Sequence, residues 1–454
     1  MKKWIPLILL FAACKQKDYK KYTSNPLLYC KTVKKLNDVV LYNNFPPVVA
    51  ARNYAYANIA AYECMAAGDS SYRSLAGQIN GLQPMPKPAP GKAVDYHLAA
   101  LLSFIKVGNA VTFPEGVLMD YYEEVKNSAD SADIPSDVLK NTIAFSDTVV
   151  AAIMQWSKGD NYAKSRSAEK YSVTSDEGRW VPTPPMYAQA LEPHWATIRT
   201  LVLDSAGQYK CAPPYKYNMK DTTSLYCREV MEVKRTGENL TDEQKHIAEF
   251  FDDNPFNMHV TGHVMYATKK FSPPGHWMNI VGIAAQKSSA DFNKTVAAYT
   301  ATSIALFDGF ISCWYVKYQN NTLRPETVIN GVLDPQWRPF LQTPPFPSYV
   351  SGHSVISAAS AEVMTHFFGN NFGYTDTSEL EFGIPNRSFT SFKHAADEAS
   401  LSRLYGGIHF RSDLVEGQKL GYKIGAHVLQ RLQMRRDTAA LAVGNTSSLL
   451  TVHR

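Results

Sequence analysis

The chain has 454 residues, 45% of them hydrophobic and 19% charged, with a formal net charge of +5. That length carries one large domain or two joined ones, and the composition is that of a packed globular protein. The small net charge and the lack of any block dense in Lys and Arg argue against a nucleic-acid footprint, so no nucleic-acid partner is expected.

The N-terminus reads as an export signal. Met1-Lys2-Lys3 is a short basic start, Trp4 to Phe11 is apolar, and Ala12-Ala13 precede a cysteine. This pattern assigns residues 1–13 to a signal peptide, too short to span a bilayer as a stable anchor. Cys14 resembles the acylated cysteine of a bacterial lipobox, although Phe11 stands where Leu is more usual. Ordinary signal-peptidase cleavage beside an incidental Cys is the alternative. Residues 14–45, with KQKDYKKYTSN at 15–25, are expected to form a polar tether. The expected location is therefore that of an exported bacterial lipoprotein, facing the periplasm or anchored at the outer membrane, with membrane contact only through the lipid. No other apolar run is expected to cross a bilayer. Export permits disulfides, and Cys211 and Cys227, which flank a Pro/Tyr/Asn-rich loop, are the one candidate pair. Cys64 and Cys313 lie among apolar residues and are expected to be buried thiols.

Along the chain, apolar residues recur at helical spacing over Pro46–Ala67, Val94–Val107, Glu115–Lys126 and Asp137–Lys158. A Pro-rich loop, Gln83–Lys92, and a turn, Asp130–Pro135, separate them. Gly178 to Trp195 (GRWVPTPPMYAQALEPHW) holds too many prolines for a continuous helix. Thr241 and Gln244 fit a capping box opening a helix that runs to Phe251, and FSPPGHW (Phe271–Trp277) starts another. Ala290–Tyr318, Ser354–Phe368 and His409–Arg431 complete the predicted helices. The fold class is all-α, with helices packed as bundles in an N-terminal half over 46–239 and a C-terminal half over 240–435; 436–454 is a tail.

Three short stretches concentrate the chemistry: KYQNNTLRP (Lys317–Pro325), SGH (Ser351–His353) and SRLYGGIHFRSD (Ser402–Asp413). Lys317 and Arg324 are seven apart and share a face if the helix continues, although Pro325 disfavours helical geometry at Arg324. Ser351 and Gly352 place a hydroxyl and free amides at a helix N-terminus, a seat for an oxyanion. His409 and Asp413 are four apart, so on a helix the carboxylate meets the imidazole and fixes its tautomer. Arg403 adds a bidentate donor. Taken singly, each is an ordinary helix-end charge or surface pair; together they suit a tetrahedral oxyanion.

The ordered set KxxxxxxRP, SGH and SRxxxxxHxxxD resembles the three-part signature of the vanadium haloperoxidase and type 2 phosphatidic-acid phosphatase superfamily. Val350 departs from it, standing where that family commonly has Pro, and removes no ligand. Trp314, Asp308, FFDD with PPGHW (Phe250–Trp277) and the Gly178–Trp195 stretch are similar to the haloperoxidase branch, so the resemblance runs from about Ala50 to about Leu429. It implies a helical-bundle fold with vanadate as cofactor, or phosphate or sulfate in its place. It assigns His409 as the vanadate ligand, or the histidine nucleophile of a phosphomonoesterase, with Asp413 orienting it. Lys317, Arg324, Arg403, Ser351 and the Gly352 amide hold the oxygens, and His353 is the acid–base residue. The implied partners are hydrogen peroxide and halide, or a phosphomonoester in the alternative reading; a homo-oligomer is compatible with either. Trp314 and Phe346 would line the halide pocket. Phe346 matches a position where chloride-oxidising relatives tend to carry Phe.

Other candidates have simpler readings. His259 and His263 stand at i,i+4 but lack a third metal ligand. His276 is expected to be a satisfied structural histidine, and Asp252 or Asp253 to pair with an active-site Arg.

Overall fold

The computed structural model describes residues 18–436 except 114, 115, 175, 256 and 262. The signal segment, Cys14 and residues from 437 onward lie outside the described residues.

The first half contains α1 (Tyr19–Thr23), α2 (Pro26–Tyr42), α3 (Pro47–Gly68), α4 (Tyr96–Val111), α5 (Val117–Ser131), α6 (Ser136–Ser157) and α7 (Tyr162–Arg166). A long irregular segment follows, then α8 (Leu225–Glu238), α9 (Asp242–Phe250), the hairpin β1 (Asn257–Thr261) and β2 (Val264–Thr268), and α10 (Pro273–Lys287). The remainder is α11 (Phe292–Asn320), α12 (Pro325–Val332), α13 (Gly352–Phe368), the small antiparallel pair β3 (Tyr374–Asp376) and β4 (Arg387–Phe389), α14 (Phe392–Tyr405) and α15 (Arg411–Arg431). The all-α expectation holds, with two short hairpins added.

Two helices form the axis. In α3 every residue from Val48 to Met65 is buried, and α11 is buried over most of its length. Helices hydrophobic all round belong inside a bundle. By length and composition α11 could cross a membrane, contrary to expectation, but its apolar stretch is wholly covered by protein. One continuous core runs from Tyr29 to Met434, so the two halves share it.

The expected tether differs. Residues 19–42 form two helices, and α2 buries Tyr29, Val33, Leu36 and Val40, a helical stripe packed into the core. The Tyr29 hydroxyl donates to Asn58 Oδ1 at 2.8 Å inside α3. Cys211 and Cys227 are both free thiols, so the candidate disulfide is not formed. His259 lies in β1 and His263, exposed, in the turn after it, so their spacing has no helical meaning.

Glycines set the closest helix contact. A Cβ on Gly421 of α15 would lie 2.1 Å from the Val355 carbonyl oxygen of α13, and one on Gly417 would lie 3.0 Å from that of Ser351. Only glycine allows this approach, and it brings the starts of α13 and α15 together. Elsewhere Asp308, deep in α11, accepts the amides of Leu201, Val202 and Leu203 at 2.7, 2.8 and 3.0 Å. Its role is to satisfy a buried loop backbone.

Candidate active site

The three sequence stretches converge. Lys317 stands in the last turn of α11, and Arg324 is the N-cap of α12, because the helix ends at Asn320 and Pro325 opens the next one. Ser351 caps α13, its Oγ accepting from the Ser354 amide at 3.2 Å. That use of a lone pair leaves its O–H free to donate. The Gly352 and His353 amides, at the first helical positions, have no intrahelical acceptor. A Cβ on Gly352 would make only ordinary contacts, 3.7 Å to Trp314 and 3.8 Å to Phe310, so protein atoms leave room beside it.

His409 lies just ahead of α15 rather than on it, which corrects the helical i,i+4 picture. Asp413 sits in the first turn and its Oδ2 accepts from three donors: Ser348 Oγ at 2.5 Å, His409 Nδ1 at 2.8 Å and the Phe410 amide at 3.2 Å. On the other side of the ring, Arg324 Nη1 lies 3.0 Å from His409 Nε2. A guanidinium can only donate, so Nε2 carries a lone pair and Nδ1 carries the proton. Burial first, then Arg324, Lys317 and Arg403, push the imidazole well below its ordinary value, keeping it neutral. The site thus presents a neutral histidine with an unprotonated Nε2 among cations.

The cations themselves are buried. Lys317 and Arg324 are 0% exposed and Arg403 is 2% exposed. Lys317 Nζ donates to the carbonyls of Pro347 and Ser348, both at 2.8 Å. Arg324 donates through Nε to Phe346 O at 2.8 Å and through Nη1 to Ile408 O at 2.7 Å, while Nη2 is buried without a partner. Arg403 donates to Ser402 Oγ at 2.9 Å and to the Phe251 and Asp252 carbonyls. The expected Arg–Asp pair is therefore made through backbone, not carboxylate. Burial lowers Lys317 to about 7, Arg324 to about 9 and Arg403 to about 10. Among the described residues no carboxylate lies within ion-pair distance of any of the three. Buried cations without counter-ions call for an anion. The donor set, with the unpaired Arg324 Nη2 and the free helix amides, fits a tetrahedral oxyanion such as vanadate.

His353 is partly exposed, and its Nε2 is 3.5 Å from Asp253 Oδ2. Burial, then Arg403, lowers its imidazole to about 4. Trp314 and Phe346 pack at 5.0 Å between ring centroids, with Lys317 Nζ over the Phe346 ring at 5.0 Å. The Leu191 carbonyl fixes this wall, accepting from Trp314 Nε1 at 3.1 Å and from Tyr318 at 2.7 Å. A cavity of about 330 Å³, bordered by Pro184, Leu191, Asp253, Met258, Gln342 and Phe346, opens beside it. Val350 is buried and offers no side-chain donor. Sequence reasoning missed Ser348, although it lies only three residues before Ser351, and the 3.5 Å approach of Asp253 to His353. For Asp253 no local spacing signal exists, because its partner is 100 residues away.

Comparisons with known proteins agree with this geometry. Residues 297–438 match the VCPO second helical-bundle domain. The chain is 28% identical over 123 residues to a vanadium-dependent bromoperoxidase from Corallina officinalis, a match spanning 24% of this chain and 21% of that relative. Among solved structures it is similar to a bacterial vanadium-dependent iodoperoxidase, with 41% identity, a TM-score of 0.86, and coverage of 91% of this chain and 98% of that one. A bacterial vanadium-dependent chloroperoxidase shares the fold at 16% identity and a TM-score of 0.66, covering 92% of this chain and 96% of that one. With 41% identity across nearly the whole length of both chains, this chain belongs to the vanadium-dependent haloperoxidases.

Proposed function

We propose that this chain is a vanadate-dependent haloperoxidase that uses hydrogen peroxide to oxidise halide to hypohalous acid, with iodide as its preferred halide. The observation that carries the reading is the neutral His409, its Nε2 lone pair directed among three buried cations that lack carboxylate partners among the described residues. Lys317, Arg324, Arg403, the Ser351 hydroxyl and the Gly352 amide would hold the oxygens of vanadate, with His409 Nε2 as its ligand. When bound, vanadate activates peroxide toward two-electron oxidation of halide.

The chain's own residues supply the rest. Asp413 and Ser348 hold the His409 tautomer and orientation. Asp253 faces His353 Nε2, leaving Nδ1 as the ring atom that takes or gives a proton. Trp314 and Phe346 form an apolar wall that keeps the halide partly dehydrated near Lys317. The identity to an iodoperoxidase favours iodide. Phe346, whose match to chloride-oxidising relatives points the other way, is weighed against it. Iodide is also the halide that gives up electrons most readily.

The test is reconstitution with vanadate followed by peroxide-dependent oxidation of iodide, bromide and chloride. Iodide turnover that is abolished in His409→Ala supports the reading. Chlorination as fast as iodination sinks the halide assignment. Hydrolysis of an aryl phosphate without halide oxidation would make the chain a phosphomonoesterase. The export assignment extends the proposal: Cys14 would tether the enzyme outside the inner membrane, and membrane association that survives Cys14→Ser overturns that part.

A further inference from the structure

Behind His353 lies a buried group of charges that halide oxidation as described above does not use. His276, in the first turns of α10, is 1% exposed. Its Nδ1 is 2.8 Å from Asp253 Oδ1, and its Nε2 is 3.0 Å from Asp376 Oδ2 at the end of β3. Ionised carboxylates only accept, so a ring satisfying both carries two N–H groups and is an imidazolium. Asp376 is fixed in turn, its Oδ1 accepting the Ser378 amide at 3.0 Å and the Ser378 hydroxyl. The Phe251 ring stacks on His276 at 5.5 Å and 24°, and Phe250 meets it edge-on at 5.4 Å. The ring therefore cannot turn without disturbing a packed core. With one oxygen of Asp253 bound to His276, the other is the one left 3.5 Å from His353 Nε2.

We propose that His276, clamped between Asp253 and Asp376, is a positioning residue for the reaction: a fixed buried cation that holds Asp253 against His353 and so sets the His353 tautomer. The proposal rests on the haloperoxidase reading for its effect on turnover, but not for its effect on His353. The structural role expected from sequence, a merely satisfied histidine, accounts for the burial alone. It does not account for a second carboxylate brought in by β3, nor for a chain of contacts that ends on the acid–base residue.

The ligand atoms of Asp253, His276 and Glu379 also lie within 4.8 Å of one another, which admits a divalent cation as the rival occupant. Against it, the 2.8 Å contact between His276 Nδ1 and Asp253 is a closed hydrogen bond. A cation would need that nitrogen's lone pair instead.

The experiment uses the full-length protein loaded with vanadate, with His276→Ala, His276→Asn and Asp376→Asn. The asparagine amide can still donate to Asp253, so it distinguishes positioning from packing. His276→Ala is expected to lower kcat about 10- to 100-fold, as loss of an outer partner does, with KM for halide and the affinity for vanadate changed less than about threefold. His276→Asn should recover a substantial part of kcat, and Asp376→Asn should fall between. Nitrogen-15 NMR of histidine-labelled protein should show one doubly protonated ring in the wild type and a single His353 tautomer that becomes mixed in His276→Ala. Unchanged kcat in folded His276→Ala, His276→Asn no better than Ala, or a singly protonated His276 would each overturn the proposal. So would a stoichiometric divalent metal that is lost in Glu379→Gln. If the wild type oxidises no halide, the haloperoxidase reading fails, while the His353 tautomer still decides the clamp.

Discussion

The site holds two histidine–carboxylate pairs, and they are built in opposite ways. His409 and Asp413 are four residues apart, 2.8 Å apart in space, and exposed by only 3% and 2%. His353 and Asp253 come from α13 and the loop after α9, stand 3.5 Å apart, and His353 keeps 16% of its side chain exposed. The first carboxylate accepts from three donors, two of them local (His409 and Phe410) and one, Ser348, from the loop before α13; the second is backed by a distant imidazolium. A ligand to a resident anion needs one fixed protonation state, and a short, dry, local pair supplies it. A group that exchanges protons needs an accessible ring with a softer contact. The difference in length and exposure follows the difference in duty.

The largest effect is expected where the tight pair is broken. Asp413→Asn keeps the shape but can donate to Nδ1, which reverses the tautomer and turns an N–H toward the anion. Activity should fall by roughly 10³- to 10⁴-fold, the upper end being the scale seen when a buried orienting carboxylate is neutralised. Retention of more than a tenth of the wild-type rate would show that Ser348 and Arg324 suffice to orient the ring. The loose pair should be less sensitive: Asp253→Asn should cost about 10- to 100-fold in kcat with little change in vanadate affinity. If it instead abolishes anion binding, Asp253 belongs to the cradle and the two pairs are not distinct in duty.

The tight pair is also the more dependent on the frame. Gly421→Ala puts a methyl 2.1 Å from the Val355 carbonyl and must push α15 away from α13. Denaturant unfolding should show about 1–3 kcal/mol of destabilisation. The shift separates the Asp413 side of the site from Ser351, whose amide donates to the Asp413 carbonyl at 3.0 Å. Vanadate affinity should weaken in the same variant. Unchanged affinity would mean that the first turns of the two helices hold together without the glycine contact below them.

The same contrast decides what could be read from sequence. Lys317 with Arg324, Ser351 with Gly352, and His409 with Asp413 are each contiguous or nearly so, and local spacing reports them. The connection of Asp253 to His276 spans 23 residues and that of His276 to Asp376 spans 100, and each joins separate elements, so no periodicity within one element reports it. Even the legible pair was placed on a helix that starts only at Arg411, because a capped first turn and a helical i,i+4 pair look alike in sequence. The axial helices were readable from long Ala-rich apolar runs. The helix over Pro26–Tyr42 was not, although Tyr29, Val33, Leu36 and Val40 keep a helical stripe, because the lysine-rich lead into it looked like a tether. The β1–β2 hairpin was lost because His259 and His263 suit a helix face as well as a turn.

The smallest effect tests how the loose pair is insulated. Glu379 is fully buried, 3.8 Å from His276 Nδ1, and neither carboxyl oxygen has a hydrogen-bond partner. Burial raises its carboxyl from an ordinary 4.5 to about 8, against the pull of His276. Between those values the folded protein holds a proton that the unfolded chain releases, so stability falls as pH rises through the window and levels off above about 8. The slope from this one group is at most about 1.4 kcal/mol per pH unit. Glu379→Gln cannot ionise and should remove that slope, so the variant gains on the wild type in unfolding experiments from pH 6 to pH 8. A parallel pair of stability–pH curves would mean that Glu379 is already ionised at pH 6. His276 would then face three anions rather than two, and Asp253 would be held less firmly against His353. A firmly held loose pair therefore requires this carboxyl to stay protonated, a requirement the tight pair at His409 does not share.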